Sequence, residues 1–177
     1  KDQYDFIGIP TPARRAIMNE HIREMGLPDW KDIDEIARDL WEMDQREYQF
    51  TLLDLMNRMK KNLGPENLPL LEYLITTKSW WDTVDGLSGW LVGELFRRHP
   101  ELISPATRKW MDSGDIWLQR SCLLFQLKYK KDTDLKLLFG FIEELAHHKS
   151  FWIRKAIGWT LREYSKTDPG TVQEFVD

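Results

Sequence analysis

Three segments of this chain, KSWWDTVDGLSGWL, GDIWLQRSCLLFQL and KSFWIRKAIGWTLR, align with Trp81, Trp117 and Trp152 in register, at spacings of 36 and 35 residues. Self-similarity at that period marks a stack of supersecondary units, each too small to bury its own apolar face without a neighbour. Strand patterns are nearly absent, and one further helical segment with two turns separates successive copies. The sequence therefore predicts an all-α fold, a HEAT-like or ARM-like helical-repeat solenoid (an α-α superhelix) whose concave surface carries function. An irregular helical bundle is the plainer alternative. Each copy follows a Ser or Asp suited to capping a helix start. Breaks are expected at Gly26–Pro28, Gly64–Pro65, His99–Pro100, Ser113–Asp115, Lys131–Asp134, His148–Ser150 and Asp168–Gly170, leaving about ten short helices. One domain over residues 1–177 is the expectation.

No apolar run approaches membrane-spanning length, and KDQYDFIGIP lacks the basic start and apolar core of a signal peptide. The single cysteine, Cys122, has no partner for an internal disulfide and no spaced Cys/His ligands, so it reads as a buried, inert thiol in a cytoplasmic protein. The four histidines, His21, His99, His147 and His148, lack metal-ligand spacing, and Ser88 in GLSGW lacks the strand that a nucleophile elbow requires. No metal and no cofactor are expected. A net charge of −4 argues against broad adhesion to nucleic acid. Its distribution leaves room for a local basic face: acidic residues dominate Asp29–Glu47, whereas basic clusters recur in the last hundred residues.

In the first copy, Val84, Leu87, Leu91 and Leu95 form an apolar stripe. Trp81 and Asp85, four apart, share another face and are surplus to that packing. In the last copy, Ile153, Ile157, Leu161 and Tyr164 read as the core stripe, and Trp152, Lys155, Trp159, Arg162 and Lys166 as a second one. Indole and cation alternating at helical spacing suit a polyanion with flat or sugar-like surfaces. Trp152, in the repeated register, reads better as a packing residue between repeats. In the middle copy Arg120 lies in an otherwise apolar stripe and needs an anionic partner: a carboxylate such as Asp85, or a phosphate held in its fork. A carboxylate on a DNA-facing surface is repelled unless a cation develops opposite it. Two unit charges at ~4 Å attract by about 1 kcal/mol in water and about 4 kcal/mol at an effective dielectric of 20. Cleavage of a sugar–base bond supplies such a cation, an oxocarbenium-like sugar.

WWDTVD, then WLQR, then FWIRKAIGWTLREYSKTDP resemble the AlkD-type bacterial DNA alkylation repair glycosylases, and DFIGIPTPARR and QREYQFTLLDLM extend the resemblance over nearly the whole chain. The resemblance implies a HEAT-like fold and release of cationic N3- and N7-alkylpurines, such as 3-methyladenine and 7-methylguanine, from duplex DNA without a cofactor. By position it assigns catalysis to Asp85, Trp81, Trp159 and Arg120. The basic residues Lys155, Arg162, Arg154 and Lys166 are the expected DNA contacts of a monomer. Against the family pattern this sequence is expected to be clipped at both ends. Gln119 in WLQRSC stands where a second cation is common, which predicts weaker backbone binding. The competing readings are a non-catalytic binder of DNA structure and a protein-interaction scaffold.

Overall fold

The computed structural model describes residues 3–177, and among these there is no β-strand, only an isolated bridge between Asp5 and Gln45. The all-α expectation holds. The chain forms two compact units, Lys1–Leu63 and Gly64–Asp177.

The first unit contains α1 (Thr11–Met25), α2 (Ile33–Glu42) and α3 (Arg46–Met59). Pro10 opens α1, and Gly26, at φ 84°, closes it in the left-handed region where a Cβ is disfavoured. Ile33, Ala37 and Trp41 of α2 pack with Leu52 and Met56 of α3 as a fully buried core. The segment before α1 is tied to α3 by a carboxylate. Glu47 accepts the backbone N–H groups of Ile7, Gly8 and Ile9 at 3.0, 2.8 and 3.2 Å.

The second unit runs α4 (Leu68–Thr76), α5 (Trp81–Gly86), a π-helical segment (Leu87–Val92), α6 (Gly93–Arg98), α7 (Ile103–Asp112), α8 (Ile116–Leu124), α9 (Leu135–Leu145), α10 (Phe151–Tyr164) and α11 (Pro169–Val176). The breaks at Gly64–Pro65, His99–Pro100, Ser113–Asp115, Lys131–Asp134 and His148–Ser150 fall as expected, and the last one lies before Pro169, which opens α11. The break between α4 and α5 is an additional one, and all three register tryptophans sit in the first turn of a helix. Asp115 caps α8 through the N–H groups of Trp117 and Leu118, and Ser150 caps α10 through that of Trp152. The first copy departs from the expected capping. The N-cap position of α5 falls on Trp80, with no side-chain cap bond, while the Ser79 hydroxyl donates to the Ile75 carbonyl at the end of the preceding helix. Lys78, at φ 48°, reverses the chain between them.

α5, the π-helical segment and α6 follow without interruption. Val84, Leu87, Leu91 and Leu95 are fully buried, as their spacing predicts. Close approach is built in at Gly93, where a Cβ would lie 2.5 Å from the Phe125 carbonyl oxygen, so only glycine fits there. α8 packs against α4, α5, α7, α9 and α10 and is buried on all sides from Leu118 to Leu124. A helix so enclosed must satisfy its polar groups internally. Gln119 does so in part: its Nε2 donates to the Met111 carbonyl at 3.0 Å, turned into the packing, while its buried Oε1 has no hydrogen-bond partner among the described residues. The expectation that Gln119 weakens contact with a DNA backbone is therefore corrected. Cys122 is fully enclosed and burial pushes its thiol up, which suits an inert core residue.

In α10 the buried face is Ile153, Ala156 and Thr160, not the stripe through Ile157, Leu161 and Tyr164. The helix is rotated toward its tryptophan flank, because the cluster around Trp152 packs there. Trp152 and Trp159 are half-buried as a result.

Candidate active site

Four indoles meet at the starts of α5, α8 and α10. Trp80 lies 5.9 Å from Trp117 and 5.1 Å from Trp152 between ring centroids, edge-on to the latter, and Trp117 lies 6.0 Å from Trp152. Trp81 stacks on Trp152 at 6.4 Å and 21°. Trp117 and Trp152 thus act as packing residues between the repeated helices, whereas Trp81 leaves 44% of its surface open. An indole backed on one face and free on the other is a preorganised contact surface.

One turn along α5 stands Asp85. Its Oδ1 accepts from Arg120 Nε at 2.8 Å and its Oδ2 from Arg120 Nη2 at 3.0 Å, a bidentate pair. The third guanidinium nitrogen, Nη1, donates to the Trp152 carbonyl at 2.5 Å. Of the two partners open to Arg120, the structure holds the carboxylate. Every guanidinium nitrogen donates within the protein, so the arrangement with a phosphate in the Arg120 fork is not the one present. The Arg120 side chain is enclosed, 4% exposed, while that of Asp85 keeps 17%. Burial pushes the Asp85 carboxyl above the ordinary carboxylate range; the Arg120 hydrogen bonds and charge offset part of this, and the nearby Asp82 carboxylate adds to it.

Trp81, Asp85 and Arg120 are thus brought together. Trp159 lies two turns beyond Trp152 on the same flank of α10, about 10 Å along the axis. It is half-buried and shares no ring contact with the four-indole cluster among the described residues. Of the expected DNA contacts, Arg154, Lys155 and Arg162 are exposed, with Lys155 Nζ 5.4 Å from the Phe151 ring centroid. Lys166 is paired with Glu163 at 2.6 Å and borders a cavity of about 340 Å³ at the C-terminal ends of α8 and α10. Among the described residues, no cluster of three or more His, Cys, Asp or Glu is placed to hold a metal, and no helix is long and apolar enough to cross a membrane.

Three contributors escaped the sequence reading. Trp80 is one; the doublet KSWWD names it, but only Trp81 has the helical spacing to Asp85. The carbonyl of Trp152 is another, and backbone acceptors leave no mark in a sequence. The last is a buried hydroxyl pair, Ser88 and Ser121, with Oγ atoms 2.8 Å apart between α8 and the π-helical segment.

A helical fold that encloses a carboxylate–arginine pair beside a half-open tryptophan defines a class: an all-α protein with an arginine-held carboxylate at an aromatic surface. The family model for DNA alkylation repair enzymes matches residues 1–177, and the chain belongs to that family. It is also similar to a solved structure described as a predicted DNA alkylation repair enzyme from Enterococcus faecalis, at 29% sequence identity and a TM-score of 0.87, covering 98% of this chain and 81% of that one. No curated protein matches it.

Proposed function

We propose that this chain is a monofunctional DNA glycosylase that hydrolyses the N-glycosidic bond of cationic N3- and N7-alkylated purines in duplex DNA, acting as a cytoplasmic monomer. The observation that carries the reading is the Asp85 carboxylate, held by one guanidinium beside the free face of Trp81. An alkylated purine already bears a positive charge. When its bond to C1′ breaks, the electron pair moves to the base, which leaves neutral and needs no general acid. Positive charge then develops on the sugar, where a preorganised carboxylate stabilises it. Trp81 adds a face contact worth roughly 0.5–2 kcal/mol, as would Trp159. Water attacks C1′ and gives up its proton, to Asp85 or to solvent. Arg154, Lys155 and Arg162 are the proposed phosphate contacts, and Arg120 acts by fixing Asp85.

Both Asp85 oxygens already accept from Arg120, and this favours a second reading, a non-catalytic binder in which the pair is a structural rivet. One experiment separates the two. The purified chain is incubated with methylated duplex DNA, and released bases are identified by mass spectrometry beside the Asp85→Asn variant. The glycosylase reading expects 7-methylguanine or 3-methyladenine from the parent and none from the variant, with DNA affinity kept. DNA binding without any base release would leave the rivet.

A further inference from the structure

We propose that the buried Ser88–Ser121 hydroxyl pair is a positioning element for Asp85: it fixes the spacing between α8 and the helical run from α5 into the π-helical segment, beside the Asp85–Arg120 fork, and so sets how closely the Arg120 guanidinium grips the carboxylate. This inference rests on the glycosylase reading.

The two helices run side by side in the same direction, and the groups that bridge them shorten along the way. First comes the long Asp85–Arg120 pair, then Ser88 with Ser121. Beyond these, a Cβ on Gly89 would lie 3.9 Å from the Leu124 carbonyl, and one on Gly93 only 2.5 Å from that of Phe125. The helices therefore converge toward the glycines and open toward the tryptophans. The hydroxyl pair is the last short bridge before the opening. Both serines are fully buried.

The protons of this bridge are informative. Ser88 Oγ lies 2.6 Å from the Val84 carbonyl, Ser121 Oγ lies 2.8 Å from the Trp117 carbonyl, and the two Oγ atoms are 2.8 Å apart. Three short O···O contacts share two protons. If both hydroxyls donated within their own helices, two oxygens would face each other without a proton, which is repulsive. One hydroxyl therefore donates across, and the pair acts as a tie. Ser121 directly follows Arg120, and Ser88 lies three residues after Asp85 with its hydroxyl against the carbonyl of Val84, the residue before Asp85, so the tie borders both members of the fork. Alanine at either position leaves the other hydroxyl its own carbonyl, so neither variant strands a buried donor.

The test uses Ser88→Ala, Ser121→Ala and their combination, assayed on methylated duplex. Each single variant is expected to lose about tenfold in kcat with KM unchanged, and to move the acid limb of the kcat profile to higher pH, because a looser fork leaves burial to dominate at Asp85. The double variant is expected to be no worse than either single one. Ser121→Cys, with a weak donor at similar volume, should recover part of the loss. Parental kcat and acid limb in both alanine variants would overturn the proposal, as would equal losses from every variant that track only a lowered melting temperature. Should the parent release no base, the glycosylase reading fails while this one is still read out, by NMR titration of the Asp85 carboxyl carbon in the free protein. A rise in Ser121→Ala supports the tie, and an unchanged titration refutes it.

Discussion

Asp54 in the first unit and Asp85 in the second are two carboxylates with little exposed surface, their side chains 12% and 17% exposed. Each is gripped bidentately by an arginine. Asp54 accepts from Arg15 Nε and Nη2 at 2.9 Å each, but also from Arg14 Nη2 at 2.7 Å. Asp85 has Arg120 alone, and the Asp82 carboxylate stands near it. Burial pushes both upward. At Asp54 the two arginines more than offset it and the carboxyl falls below its ordinary range; at Asp85 one arginine does not, and the carboxyl rises. Two things separate them: Asp85 lies among more protein atoms and is desolvated more strongly, and it has one cation where Asp54 has two. Asp54 is over-neutralised and has nothing left to offer. Asp85 would gain from one more positive charge, which is what a sugar losing its base presents.

The largest expected consequence concerns the arginines. Arg120→Ala leaves Asp85 enclosed and unpaired and also frees the Trp152 carbonyl, so urea unfolding should show a loss of about 3–5 kcal/mol, together with loss of base release. Arg15→Ala should cost no more than about 1 kcal/mol, since that guanidinium is half-exposed and Arg14 keeps its own bond to Asp54. Equal losses at the two sites would remove the distinction between them.

Acid should separate the units next. Asp54 and Glu47 have lowered folded values, Glu47 because the N–H groups of Ile7, Gly8 and Ile9 outweigh its burial. Their contribution to stability is present above the unfolded values near pH 4 and is lost only as pH falls through the lower folded ones. Asp85 runs the other way. Its folded value is raised, so its contribution to stability is full below the unfolded value and lost as pH rises through the folded one. The ionised Asp85 carboxylate that the proposed reaction requires therefore disappears on acidification before those two ties open. Activity should fall about tenfold per pH unit below its acid limb, in a window above pH 4 where circular dichroism still reports native helix. Coincident loss of activity and helix would contradict this.

A smaller effect is expected at Trp81. Trp81→Ala should lower kcat by up to about thirtyfold, the upper end of a ~0.5–2 kcal/mol face contact, while its cost in stability stays near the ~0.5–1.5 kcal/mol of the lost stack on Trp152. A large drop in stability with kcat intact would make Trp81 a packing residue like Trp152.

The helices, most of their breaks and the repeated tryptophans were legible because glycine, proline and apolar period act within a few residues of one another. So was the juxtaposition of Trp81 and Asp85, which a single helix imposes. The partner of Arg120 was narrowed to two anions, since a guanidinium fork fits carboxylate and phosphate alike, and only the packing of α8 beside α5 brings Asp85 opposite. Gln119 misled for a related reason: α8 is enclosed on every side, and nothing in its own pattern says which side lacks water. Ser79 looks like a cap, but the left-handed turn at Lys78 leaves the N-cap position to Trp80. The core stripe of α10 was misplaced because Ala156 and Thr160 are less apolar than Ile157 and Leu161, yet the indole cluster turns them inward.

The smallest effect belongs to Gly8, in the family-like segment DFIGIPTPARR. Gly8 has φ 91°, and a Cβ there would meet nothing within 4 Å. Gly8→Ala therefore carries only the conformational penalty of the left-handed region, about 1 kcal/mol, with no steric term. What depends on that conformation is the turn presenting three N–H groups to Glu47, next to the helix whose Arg14 and Arg15 reach Asp54. The variant should lower the melting temperature by a few degrees, and below that melting temperature base release should match the parent. A change in kcat instead would mean that the charge-saturated unit does more than hold itself together, and the contrast between Asp54 and Asp85 would have to be redrawn.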